Sequence, residues 1–150
     1  MANSRQKLDD AIVYLLQNLP SSPTRTKLMK LLYLADLQSS KRKKGAITGA
    51  RYYSYFYGPY SEEVIMSLNR LNGTQIDEIP GVTNEGQDFY LYRVKDVEDS
   101  TESMLTGEEK KILKSIAKKY GLLPLKEILN IVYRSAPFRT TKKGNRISLP

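Results

Sequence analysis

Whatever chemistry this chain performs has to come from lysine, tyrosine, the hydroxyl residues and the carboxylates, because its 150 residues contain neither histidine nor cysteine. That removes the usual acid/base of neutral pH, all thiol chemistry and the commonest ligands of transition-metal sites. A nucleophile would need a Ser–Lys or Thr–Lys pair, and no spacing places one. Two carboxylate pairs stand out, Glu62-Glu63 and Glu108-Glu109. Each falls at the start of an expected helix, where negative charge suits the helix dipole. Thr106 with Glu109 further reads as a capping box. There is no glycine-rich phosphate loop and no metalloprotease signature. The reading is a protein that is not an enzyme and that uses no cofactor and no metal.

What remains is recognition chemistry. Lys27 and Lys30 lie three residues apart on one side of an otherwise apolar helix, so they can share a surface. Downstream, RYYSYFYGPY puts Tyr53, Tyr55 and Tyr57 on one face of an expected strand and Tyr52 and Phe56 on the other. Tyrosine suits a half-wet contact, with an apolar ring and a polar tip. The net charge of +8 and pI near 9.6 favour an acidic partner, either nucleic acid or an acidic protein face. A nucleic-acid surface would use Lys110, Lys114 and Lys118 on one helix, together with Arg139, Lys142, Lys143 and Arg146. The last four lie beyond Glu127, the final acidic residue.

The elements that must position these groups follow from apolar spacing. Residues 4–18 carry Leu8, Ala11, Ile12, Leu15 and Leu16 at helical intervals. After the turn at Pro20 to Pro23, a second helix runs to about Ser40. Leu28, Leu31, Leu32 and Ala35 fill one side of it, and Met29, Tyr33 and Leu37 much of the other. A helix apolar nearly all round is enclosed by other elements. The basic run Lys41 to Lys44 closes it, and a strand follows over 51–57, ended by Gly58-Pro59. Ser61 caps the next helix, whose inner stripe is Val64, Ile65, Leu68 and Leu71. Residues 75–79 and 87–94 read as two strands around a loop containing Pro80-Gly81. An acidic loop spans 96–103. A helix from Thr106 to Gly121 and another from Leu125 to about Arg134 complete the set. The expectation is an α+β fold: a helical bundle around a buried central helix, with a small antiparallel sheet of about three strands. It forms one domain over 1–138, with a basic tail over 139–150. No apolar run approaches the ~20 residues of a membrane span, and the N-terminus carries no apolar leader, so a cytoplasmic protein is expected.

At this point KLMKLLYLAD, a spacer, and ITGARYYSYFYGPYSEEV resemble the Panacea domain, also called the SocA-like or GepA-like domain. The resemblance rests on the KLxKLLY-type helix at 27–33 and the YGP-type turn at 57–59, and extends more loosely over 8–138. It implies helices around a small sheet. It also implies an antitoxin, since members sit beside small toxins in bacterial, archaeal and phage genomes and neutralise them. One branch delivers its toxin to a protease. The implied partner is a protein toxin encoded nearby. The contact set is then Lys27, Lys30, Tyr33, Tyr53, Tyr55, Tyr57, Gly58 and Pro59. A basic DNA-binding regulator, autoregulating its own operon, is the alternative. Where members commonly end with a Thr-His and a Pro-Trp pair, this chain has Val132-Tyr133 and Pro137-Phe138.

Overall fold

The computed structural model describes residues 2–42, 45–95 and 103–150. Lys43, Lys44 and nearly all of the expected acidic loop lie outside the described residues. Helix α1 (Ala2–Asn18) is followed by α2 (Arg25–Lys41), strands β1 (Tyr53–Tyr55) and β2 (Gly58–Tyr60), and α3 (Glu62–Leu71). Then come β3 (Ile76–Val82), β4 (Asp88–Val94), α4 (Gly107–Tyr120), α5 (Leu125–Arg134) and the short α6 (Ala136–Arg139).

Helix α2 is the axis of the molecule. Every residue from Leu28 to Leu37 is buried. Thr24 starts the helix by accepting from the Lys27 amide at 3.2 Å. Helices α4 and α5 and strands β2 and β4 pack directly on α2, while α1 packs on α3, α4 and β4. Each fully buried leucine or isoleucine contributes roughly 2 kcal/mol of transfer free energy, so this enclosure dominates the fold. The capping box at α4 is present in both halves: Thr106 Oγ1 accepts from the Glu109 amide, and the Glu109 carboxylate accepts from the Thr106 amide. Ser61 occupies the position before α3 but does not cap it with its side chain. Its hydroxyl is buried without a hydrogen-bond partner among the described residues, and its amide donates to Met29 Sδ at 3.3 Å. Among the described residues no helix is long and apolar enough to cross a membrane.

The sheet differs from the expected three strands. There are two separate two-stranded antiparallel hairpins, β1–β2 and β3–β4. The strand expected over 51–57 stops at Tyr55, because the chain reverses through Phe56-Tyr57 and Gly58, at φ +93°, starts the return strand. Gly58 alone in this stretch can adopt that backbone without a Cβ penalty. Pro59 does not end pairing; it sits opposite Ser54 in β2, an outer strand of its sheet, where a missing donor is tolerated. Pro80-Gly81 likewise lies inside β3, opposite Tyr90 and Phe89, and the Phe89 ring occupies the space a Cβ on Gly81 would need. The reversal falls at Thr83 to Gln87 instead, closed by Thr83 N–H to the Gln87 carbonyl at 2.8 Å.

Residues 139–150, expected as a basic tail, run back along β1. Ser54 N–H donates to the Asn145 carbonyl (2.9 Å), Gly144 N–H to the Ser54 carbonyl (2.6 Å), and Ile147 N–H to the Tyr52 carbonyl (2.8 Å). Ile147 is 3% exposed and belongs to the core. A stretch this basic and polar overall still carries Ile147, which enters the core, and Leu149, which packs against it.

Candidate partner interface

The β1–β2 hairpin is fixed to α2 by buried polar groups. Lys30 is 4% exposed, and its ammonium donates to the Pro59 carbonyl at 2.9 Å. No carboxylate pairs with it among the described residues, and burial pushes its pKa down to about 8. A Cβ on Gly58 would stand 3.1 Å from Lys30 Cε and 3.5 Å from Val132 Cγ1, so glycine is demanded by backbone angle and a side chain there would also be tight against Lys30. One helical turn and a half further on, Asp36 is fully buried. Its Oδ1 accepts from the amides of Ile47 (2.8 Å) and Thr48 (2.9 Å), and its Oδ2 from Thr48 Oγ1 (2.6 Å) and the Tyr52 hydroxyl (2.7 Å). Burial raises the Asp36 pKa, and these donors pull it back. The Tyr52 ring meets the edge of Tyr33 with centroids 5.4 Å apart, and the Tyr33 hydroxyl shares a hydrogen bond with Ser135 Oγ (2.7 Å).

Four residues of the expected contact set are therefore interior. Lys30, Tyr33, Gly58 and Pro59 are buried beneath or within the hairpin rather than at its surface. Lys27 is half-buried and is occupied elsewhere, its ammonium donating to the carbonyls of Gly121 (2.8 Å) and Leu123 (3.0 Å) beyond the end of α4. Periodicity marks which side of α2 these lysines take. It cannot show that a hairpin and a helix end will close over that side.

The exposed chemistry is at the hairpin's tip. Tyr55, Phe56 and Tyr57 are 44%, 76% and 73% exposed, while Tyr53 is half-buried. Tyr55 packs edge-on against Tyr60 at 5.5 Å. The Tyr133 hydroxyl donates to the Phe56 carbonyl at 3.0 Å, and the Tyr133 and Phe138 rings lie 5.5 Å apart. Tyr133 thus braces the tip, with the Phe138 ring against its own. Neither Phe56 nor Tyr133 belongs to the expected contact set. The signal for Phe56 is the glycine at 58, which makes the two preceding residues a turn and hence its most exposed point.

Because Gly144 to Ile147 pairs with β1, the structure joins two groups that the sequence keeps apart. Lys143 places its ammonium 2.7 Å from the centroid of the Phe56 ring, and Lys142 and Arg146 are exposed on the same segment. Arg139, exposed at the end of α6, precedes them. The lysines of α4 are not part of this arrangement. Lys110 sits over the Tyr14 ring at 5.9 Å, and Lys114 and Lys118 line a shallow hollow of about 350 Å³ with Pro20, Ala117 and Leu122. Chemically the tip can insert rings and offer cations. No group of three or more His, Cys, Asp or Glu among the described residues could hold a metal ion.

Comparison with curated proteins finds no match to the chain. The family model described as Antitoxin SocA-like, Panacea domain matches residues 28–137, from the second turn of α2 into α6 and including the whole β1–β2 hairpin. On that match, which spans most of the sequence, the chain belongs to the SocA-like Panacea antitoxin family.

Proposed function

We propose that this chain is an antitoxin that neutralises a partner toxin by binding it directly, without catalysis, through the tip of the β1–β2 hairpin. The observation that carries the reading is the run Tyr55-Phe56-Tyr57, three consecutive aromatic residues exposed at a turn whose backbone is pinned from below. Aromatic side chains held rigid and left in water are the groups that supply most of the energy at protein interfaces. Family membership supplies the class of partner. The test is co-expression of the tagged chain with the product of the adjacent open reading frame, beside a Phe56→Ser/Tyr57→Ser variant shown to be folded by its thermal melt. Stoichiometric capture by the wild type, lost in the variant, is expected. Equal capture by both, or none by the wild type, would sink the proposal.

A second reading, a DNA-binding regulator, draws on the exposed cations Lys114 and Lys118 of α4 and those of Arg139, Lys142, Lys143 and Arg146. Its mark would be duplex binding that weakens steeply with salt and is insensitive to Phe56→Ser.

A further inference from the structure

We infer that the toxin surface received by this hairpin is an apolar pocket rimmed by carboxylates, with Phe56 entering the pocket and Lys142, Lys143 and Arg146 meeting the rim. The inference rests on the direct-binding reading and adds the chemistry of the partner.

Its first support is shape. Phe56 and Tyr57 form a two-residue turn and are the two most exposed aromatic residues among those described. The turn is held on three sides: by Lys30 at Pro59, by Tyr133 at Phe56, and by Gly144 and Asn145 at Ser54. A convex turn with an ordered backbone loses little main-chain freedom on insertion, and its complement is concave and apolar.

The second support is charge. Residues 139–150 contain no Asp or Glu. No ion pair engages Lys142, Lys143 or Arg146 among the described residues. Of the acidic residues that follow the hairpin, Glu62 accepts from the Tyr60 hydroxyl and Glu63 is taken up by Arg51. Among the described residues, the C-terminal segment beside the tip therefore presents Lys142, Lys143 and Arg146 and no carboxylate side chain. Desolvating them against anything but an acidic rim would be unfavourable.

The third support separates a protein pocket from single-stranded nucleic acid. A stacking platform needs open ring faces and a track of cations along several nucleotides. Here one face of Phe56 is covered by the Lys143 ammonium. As Phe56 enters a pocket, Lys143 is carried to its mouth.

The experiment uses the full chain and the purified product of the adjacent open reading frame, with affinity measured at about 50 mM and about 300 mM salt, between which the screening length falls by a factor of about 2.4. Four proteins are compared, the first three being wild type, Phe56→Ala, and Lys142→Glu/Lys143→Glu/Arg146→Glu. A charge-removing Lys142→Gln/Lys143→Gln/Arg146→Gln variant accompanies the last. The wild type is expected to bind roughly tenfold more weakly at the higher salt, and charge reversal to weaken binding roughly tenfold or more at the lower, with the Gln variant between. Phe56→Ala should weaken binding by a similar factor at both salts. Wild-type affinity that ignores both salt and charge reversal, while still failing with Phe56→Ala, would overturn the acidic rim and leave direct binding standing. Binding to a fluorescent oligo-dT in place of the protein, abolished by charge reversal, would overturn it in favour of nucleic acid. No binding of the protein by the wild type would overturn the underlying reading.

Discussion

At the scale of single residues, Asp36 and Lys30 are where the interior departs furthest from an oil-like core. Removing the Asp36 carboxylate strands two backbone amides and two hydroxyls in a fully buried site. Asp36→Ala is expected to cost about 3–5 kcal/mol, read as a lowered denaturation midpoint. Asp36→Asn should cost clearly less. Its carbonyl can still receive the amides of Ile47 and Thr48, while the hydroxyls of Thr48 and Tyr52 can turn to accept from the new NH₂. Equal losses in the two variants would show that the charge, not the acceptor geometry, matters. Lys30 makes the stability depend on alkaline pH. Its pKa is about 8 in the fold against 10.5 for an exposed lysine, so between those values the unfolded chain holds more protons. Stability therefore rises with pH through that window, by up to about 3 kcal/mol in all. Above the ordinary tyrosine value of 10.0 the raised pKa values of Tyr33, Tyr52, Tyr60 and Tyr92 act the other way. Between about 8 and 10 Lys27, also lowered by burial, adds in the same direction as Lys30, so the comparison with a Lys30 variant isolates Lys30. Denaturant midpoints across that interval should climb in the wild type and stay flatter in Lys30→Met; parallel curves would remove the assignment. The burial of α2 was legible, because apolar residues on nearly all its sides left only the flank of Lys27 and Lys30, and Asp36, charged between Lys27 and Leu37. The burial of Lys30 was not, since lysine pairs an apolar stem with a charged end and sits mostly at surfaces. Tyr33 was read both as a helix-filling residue and as a contact, and its burial bears out only the first.

At the scale of elements, five of the six helices were legible from an apolar stripe, joined at α4 by a cap and a glycine stop, while the four-residue α6 was not read. Thr106 with Glu109 is local in sequence and local in space. Hairpins are less legible, because a strand's end depends on one residue's backbone angle and on its partner strand. Gly58 and Pro59 look like a stop signal, yet Gly58 is a reversal and Pro59 a paired strand residue. The candidate site suffered most from this. Reading 51–57 as one strand assigns Phe56 to a face opposite Tyr57, whereas the turn exposes both. Gly58→Ala tests the hairpin as a unit. The methyl group meets Lys30 Cε at 3.1 Å and the backbone stays at φ +93°, so a loss of about 1–3 kcal/mol is expected. Partner capture should fall further than stability alone accounts for, because the tip shifts with its anchor. Wild-type capture by a destabilised Gly58→Ala protein would mean that the tip's position does not matter for binding.

At the scale of the whole molecule, the question is whether residues 139–150 belong to the fold. Their composition reads as a solvated arm, and an average over twelve positions is dominated by its cations. The alternative is visible only in three dimensions. β1 has one side paired to β2 and the other side open, and an open strand edge recruits any chain long enough to reach it. The segment after α6 reaches it, and Ile147 locks the register by entering the core at 3% exposure. Two consequences separate a docked strand from an arm. Ile147→Ala should destabilise the protein by about 2–4 kcal/mol, since a buried isoleucine is lost and a cavity is left, whereas in a solvated arm the same change costs nothing measurable. The amides of Ser54 and Ile147, which donate across this pairing, should exchange with solvent slowly in the wild type and much faster in Ile147→Ala. Slow exchange at Ser54 with no loss of stability in the variant would mean that the backbone pairing holds without the side chain. Fast exchange at both amides in the wild type would return the segment to an arm, free the cations from the hairpin tip, and separate the two halves of the proposed interface.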